Sequence, residues 1–371
     1  MVKLLTAIGL MSGTSGDGID ASIIQSDGEE ELNIIDNCYV PFNSKLKSEI
    51  RGLKEKIEKQ SDLDLNLNHI VNLEQKITVL HSEAVEQIIK KGKVKKSEID
   101  IIGFHGQTIY HNSKQCISKQ LANGELLCEL TKINVVFKFR DNDIKNGGQG
   151  APLVPIFHHL IQKKKKIQLP VMFVNIGGIS NITYIDSQNQ IKSFDCGPGN
   201  FLIDKLLQKK TNNKIEFDIN GVTAFKGSVN EVILESYLSD PFFELKPPKT
   251  LDVNDFSLSL IRGLDLENSV TTLSELTVRA ISNSLNILTD KPKKIILCGG
   301  GRKNKYFFQR LKDLCKINIL NIDEFKINGD FIESQAFGYL AIRSITNKPL
   351  TFPDTTGVTK ASTGGVLIKT K

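Results

Sequence analysis

The sequence predicts an α/β protein built from two similar halves, and three observations predict it. Over residues 8–24 (IGLMSGTSGDGIDASII) an apolar run, a glycine-dense turn and a second apolar run follow one another, which reads as strand, tight turn, strand. The same grammar returns roughly 165 residues later, over residues 171–185, as expected of an internal duplication. Around these units, short apolar strands alternate with apolar stripes at helical spacing, the pattern of helices packed on sheets.

The first unit also carries chemistry. Gly13, Gly16 and Gly18 stand where positive φ or a close backbone approach is needed. Between them lie hydroxyls (Thr14, Ser15) and a run of backbone N–H groups through Ile19, a set that can wrap a phosphate chain. Asp17 and Asp20 add the carboxylates that a Mg²⁺ ion beside those phosphates requires, directly or through water. No Gly-Lys-Ser/Thr follows, so the turn is not a Walker loop.

Next in order, Asp27-Gly28 marks a turn and residues 31–40 read as a third strand, ended by Pro41. Residues 44–59 are charged and helix-permissive. Ile70, Leu73, Ile77, Leu80, Ala84 and Ile88 recur at helical spacing over residues 65–91, with Gly92 as a stop. Residues 100–104 form a short buried strand that delivers His105-Gly106-Gln107-Thr108 at its C-terminal end, where ligands gather in α/β sheets. Residues 135–139 are again strand-like and run into Arg140, Asp141, Asn142 and Asp143. Arg140 and Asp143 either clasp each other or face a polyhydroxyl ligand, which needs both donors and acceptors. The run GGQGAPLVP (residues 147–155) is expected to be a hinge region.

In the second half, Gly177 and Gly178 occupy the turn of the repeated unit. Residues 191–194 are a strand that presents Asp195 ahead of a Gly-Pro-Gly turn, a placement that projects a carboxylate toward a ligand. Residues 273–288 read as an amphipathic helix. Residues 294–297 form a strand feeding Gly299, Gly300 and Gly301, a turn whose backbone is bare of side chains. Glu333 opens the last long helix, either to complement its dipole or to meet a ligand.

Length and composition bound the function. The 371 residues suffice for two domains, and the net charge of +6 is spread along the chain. Its densest basic run, residues 163–166, lies between apolar segments without interleaved aromatics and reads as a solvated connector, so no nucleic-acid partner is expected. The six cysteines show neither CxxC nor zinc-ligand spacing, and reduced thiols in a cytoplasmic protein are expected. The opening MVKLLTAIGLM lacks a small-residue cleavage site and runs directly into the turn, so it is not read as a signal peptide. No apolar stretch has the length of a membrane span.

The wording MSGTSGDGID, GGQGAPLVP and FDCGPGN, in that order, resembles the anhydro-N-acetylmuramic acid kinase family of the sugar kinase, heat-shock-protein and actin superfamily. The family usually has leucine where this chain has Gly16. The segment FFELKPPKT is also similar to the family's, but the following LDVNDF departs from it and leaves the roles of Lys249 and Thr250 open. The resemblance implies two ribonuclease-H-like (actin-like ATPase) domains with mixed sheets and a central cleft for nucleotide and sugar. The expected boundaries are residues 1–134, with the tail 346–371 packing back on them, and residues 135–345. It implies ATP and Mg²⁺ as cofactors and an amino sugar as small-molecule partner; the sequence does not fix the oligomeric state, for which a homodimer is the guess. The phosphate and adenosine contacts would come from residues 13–20, Gly177, Gly178 and Gly299–Gly301. His105, Gln107, Thr108, Arg140, Asp143 and Glu333 would meet the sugar, and Asp195 would be the catalytic base. The implied reaction opens the 1,6-anhydro bridge with water and phosphorylates O6. The residues alone also allow another sugar or sugar-acid kinase, or an actin-like ATPase that acts on no sugar.

Overall fold

A computed structural model describes residues 3–13, 15–92, 94–112, 115–252 and 255–371. The chain divides into two units, Met1–Lys165 with Phe331–Lys371, and Lys166–Asp330.

In the first unit, strands β1 (Leu5–Ser12), β2 (Gly18–Ser26) and β3 (Leu32–Pro41) form an antiparallel meander. β4 (Ile101–Asn112) runs parallel to β1, and β6 (Val135–Phe137) parallel to β4. β1 and β2 are almost wholly buried, because helices cover both faces; this is why they read as near-continuous apolar runs. One cover is the helix Leu67–Lys91, whose stripe Ile70, Leu73, Ile77, Ala84 and Ile88 is buried. The other is the helix Ile332–Ile345. A Cβ on Gly9 of β1 would lie 1.8 Å from the Ser334 carbonyl oxygen, and one on Gly103 of β4 2.0 Å from that of Phe337. Helix and sheet backbones touch at these two positions, which only glycine permits.

β4 is longer than the sequence implies. Its second half pairs antiparallel with β5 (Ile117–Leu121), a hairpin the polar composition of residues 111–120 conceals. His105–Thr108 therefore lie within the strand and not at its end. They sit where the partner strand β1 stops, at the pair Ser12↔Gln107.

The second unit repeats this plan. β7 (Val171–Ile176), β8 (Ile179–Ile185) and β9 (Ile191–Pro198) form an antiparallel meander; β10 (Lys294–Cys298) runs parallel to β7 and β11 (Asn318–Asn321) parallel to β10. The order β11-β10-β7-β8-β9 matches β6-β4-β1-β2-β3, so the duplication is one of topology. Helices Phe201–Lys210, Leu266–Asn283 and Lys305–Cys315 pack around this sheet in one apolar core. The helix expected over 273–288 starts earlier, because the Asp265 side chain accepts from Asn268 N (2.8 Å) and caps it there.

The expected domain boundaries move. Residues 135–165 belong to the first unit because β6 extends its sheet, and residues 331–345 because their helix lies against β1, β2 and β4. The last strand, β12 (Val366–Ile368), pairs antiparallel with β6 and brings the tail to the same sheet. GGQGAPLVP thus lies inside the first unit. The chain instead changes units at Lys165/Lys166, within the basic run read as a connector.

Candidate active site

The β1–β2 turn is held at both ends. Gly16 N donates to Gly13 O (3.0 Å) and Phe42 N to Asp17 O (2.8 Å). Gly16 has φ +69°, so glycine takes this conformation without the strain a leucine would meet. Ser15 and Asp17 are exposed, Asp20 is half-buried, and the Ile19 side chain is fully buried in the core, leaving only its backbone for a ligand. Thr14 lies outside the described residues. Lys47 Nζ stands 3.8 Å from the Asp17 carboxylate. Burial pushes half-buried Lys54 down to about 8, and the charge of Asp17 opposes that shift. Among the described residues no three His, Cys, Asp or Glu side chains form a metal cluster. Two carboxylates are nevertheless the donors a magnesium ion uses when phosphate oxygens and water complete its shell.

Three of the residues expected to meet the sugar are occupied elsewhere. His105 is 3% exposed. Its Nε2 accepts from Arg140 Nε (3.2 Å) and Nη2 (3.0 Å); arginine can only donate, so Nδ1 carries the proton and donates to Gly106 O (3.0 Å). Burial and the Arg140 charge hold its pKa well below the ordinary histidine value, so the ring stays neutral. Asp143 is buried and accepts from Gly150 N (2.7 Å) and Thr356 Oγ1 (2.6 Å). It ties the 147–150 loop to the tail. Gln107 is fully buried, and its amide braces the β1–β2 turn. Arg140 also donates from Nη1 to Gly150 O (2.6 Å), so its guanidinium is oriented by two acceptors from different parts of the unit. Thr108 and Glu333 are half-buried, the latter in the first turn of its helix.

In the second unit the glycine turns pack on one another. Gly199 N and Phe201 N donate to Gly178 O, and Asn200 N to Gly177 O, tying the β7–β8 tip to the turn after β9. A Cβ on Gly199 would lie 2.4 Å from Gly177 O, and one on Gly299 2.4 Å from Asn175 Oδ1. Gly300 differs: it is exposed, and an added Cβ would meet nothing within 4 Å. Arg302 fixes the 299–301 turn through Gly299 O (3.0 Å), Asp323 (2.7 Å) and Asp330 (2.7 Å). Beside this turn lies a cavity of about 480 Å³ lined by Phe225, Arg302, Lys303, Lys305, Phe308 and Gln309.

Asp195, on β9, is 8% exposed. The 249–251 segment grips it from both sides: Asp195 N donates to Lys249 O (2.9 Å) and Leu251 N to Asp195 Oδ2 (2.8 Å). Lys249 is itself buried. Its Nζ donates to Phe242 O (2.9 Å) and lies 4.4 Å from the Phe242 ring centre. Burial pushes the Lys249 pKa down, and the Asp195 carboxylate resists the shift.

The family model for anhydro-N-acetylmuramic acid kinase matches residues 5–370. This chain belongs to the anhydro-N-acetylmuramic acid kinase family. Its relatives include the anhydro-N-acetylmuramic acid kinases of Pelagibacter ubique (46% identical over 379 residues) and Agrobacterium fabrum (37% over 381 residues), both matched over the full length of each chain. That of Zymomonas mobilis is 36% identical over 364 residues, covering 97% of this chain and 99% of the relative.

Against this family's wording, sequence reasoning missed the brace by Gln107, the clasp of Arg302 on the 299–301 turn, and the seat of Lys249 beside Asp195. The double proline before Lys249 was the signal for a rigid approach to Asp195, but its pairing with β9 leaves no local mark. Among the described residues no helix is long and apolar enough to cross a membrane.

Proposed function

We propose that this protein uses ATP to convert 1,6-anhydro-N-acetylmuramic acid and water into N-acetylmuramic acid 6-phosphate, in the recycling of cell-wall amino sugar. The observation that carries this reading is the match to the anhydro-N-acetylmuramic acid kinases over the full length of both chains, at 46% identity. In the proposed reaction water adds to the anomeric carbon, the C1–O6 bond breaks, and O6 forms the new bond to the γ-phosphorus as ADP leaves.

Asp195 is the proposed base. A carboxylate whose Oδ2 is fixed by a backbone N–H has a set direction for the water it activates, and positioned proton transfer contributes about 10²–10⁴ in rate. The released O6 is the phosphoryl acceptor, so the two steps share one oxygen and positioning supplies much of the rest. The β1–β2 turn, with Gly13, Thr14, Ser15, Gly16, Gly18 and the Ile19 backbone, is the phosphate-binding turn of the first unit, and Gly177 and Gly178 form that of the second. Asp17 and Asp20 would hold Mg²⁺, which neutralises phosphate charge when bound. Gly299–Gly301 receive the adenosine, and the aromatic and amide lining of the adjoining cavity suits its base. Arg140, Thr108 and Glu333 meet the sugar, with His105 and Asp143 acting behind Arg140 and its loop. A buried neutral imidazole that accepts two guanidinium N–H groups supports that division.

The test is ATP turnover with and without the anhydro sugar in ¹⁸O-labelled water. The label is expected at C1 of freshly formed sugar phosphate and absent from the transferred phosphate. Label in inorganic phosphate with the sugar untouched would mean an ATPase. A product unlabelled at C1 before mutarotation would mean ordinary hydroxyl phosphorylation.

A further inference from the structure

We infer that Gln107 is a positioning residue for the phosphate turn and not a ligand of the amino sugar. The inference rests on the proposed nucleotide site at the β1–β2 turn. Gln107 is fully buried at the point where β1 ends, paired with Ser12. Its Oε1 accepts from Ser12 Oγ (2.7 Å), and its Nε2 donates to Gly13 O (2.9 Å) and Thr108 O (3.3 Å). Both amide hydrogens therefore have acceptors inside the fold, and a sugar oxygen accepting from the amide would have to displace one of them.

The contact to Gly13 is the informative one. Gly13 O also accepts from Gly16 N, so the carbonyl that heads the turn is held by its own chain and by β4. At the far end Ser12 Oγ is 2.9 Å from Gly18 O and Phe42 N holds Asp17 O. With glycine at 16, the turn has no side chain there to pack on Ile50, which would lie 3.3 Å from a Cβ at that position. The turn's shape thus depends on hydrogen bonds, and Gln107 supplies one that arrives from β4. A turn that must present backbone N–H groups to phosphates before they arrive benefits from being fixed beforehand.

The experiment compares wild-type protein with Q107L and Q107E. Q107L keeps the side chain's approximate volume and removes all its hydrogen bonds; Q107E keeps an acceptor for Ser12 but has no N–H for Gly13. Three quantities are measured: nucleotide affinity by fluorescent-nucleotide displacement, anhydro-sugar affinity by calorimetry without nucleotide, and the thermal midpoint. Both variants are expected to weaken nucleotide binding about tenfold, the scale of one or two lost buried hydrogen bonds, with sugar affinity within twofold of wild type. Sugar affinity reduced tenfold with nucleotide binding intact would overturn the inference, as would both affinities unchanged. If Q107L loses its cooperative melt, Q107E carries the comparison. Failure of the functional reading is distinguishable: the wild type would then bind nucleotide without turning over the anhydro sugar, while the effect of Q107E on nucleotide affinity is still measured.

Discussion

Asp195→Asn separates base catalysis from mere binding, because the structure bounds what the change can disturb. Asn keeps the side-chain shape and an oxygen for the Leu251 N–H at 2.8 Å, so a charge-assisted hydrogen bond becomes a neutral one. That difference is about 1 kcal/mol, and with the second unit's core untouched the melting midpoint should fall by only about 2–4 °C. Lys249 loses a charge that resists its downward shift, so its pKa should fall further below the ordinary lysine value. Turnover behaves differently. The amide cannot accept the proton of the attacking water, and kcat should drop by about 10²–10⁴, equivalent to about 2.7–5.5 kcal/mol in the barrier. Calorimetric affinities for ATP and sugar should remain within a few-fold of wild type. Rates are read in single turnover, so that slow product release does not mask the chemical step. A variant within tenfold of wild-type kcat would refute Asp195 as the base.

Asp17→Ala should weaken Mg-ATP-dependent turnover by tenfold or more while leaving sugar affinity unchanged; intact nucleotide affinity and turnover would make the hairpin purely structural. Gly299→Ala forces a Cβ to within 2.4 Å of Asn175 Oδ1 at φ +72° and should destabilise the fold by about 2 kcal/mol or more. Gly300→Ala meets nothing, so its melting midpoint should stay within about 1 °C of wild type while nucleotide affinity falls; unchanged affinity would count against adenosine lying there. Glu275 is fully buried and bonded to Arg279, Arg310 and Tyr306. Burial alone would raise its pKa, but hydrogen bonds from Arg310 and Arg279 leave it below the ordinary glutamate value. A lowered folded-state pKa means its stabilisation is complete above the unfolded value and is lost as pH falls through the folded one. Glu275→Ala should therefore cost about 2–3 kcal/mol near pH 7, at the low end for a broken buried pair because both arginines are partly exposed. The difference from wild type should shrink as pH falls below the unfolded glutamate value of about 4.3; a gap that stays constant all the way through acid unfolding would show that the charge is not its source.

Local pattern carried the two strand–turn–strand units, the order of the three glycine turns and the family wording, because apolar period and glycine spacing are properties of neighbouring residues. The stripe from Ile70 to Ile88 was legible for the same reason: a helix writes its buried face into its own sequence. Gln107, His105 and Asp143 were also legible as polar residues in suggestive places, but their orientation was not. Gln107 meets Gly13 across 94 residues, and Leu251 meets Asp195 across 56. Such partners are set by the register of β4 on β1 and by the path of the 242–251 segment over β9, and neither has a local signature. The unit boundary was lost in the same way. Residues 331–345 read as one more helix of the second half; the bare backbone at Gly9 and Gly103 admits that helix to the first sheet, and only the assembled fold brings those glycines opposite Ser334 and Phe337. Sequence alone determined which groups were available for chemistry. Tertiary structure decided which polar atoms the fold itself consumes, because a buried donor or acceptor must find a partner wherever the packing of distant strands supplies one.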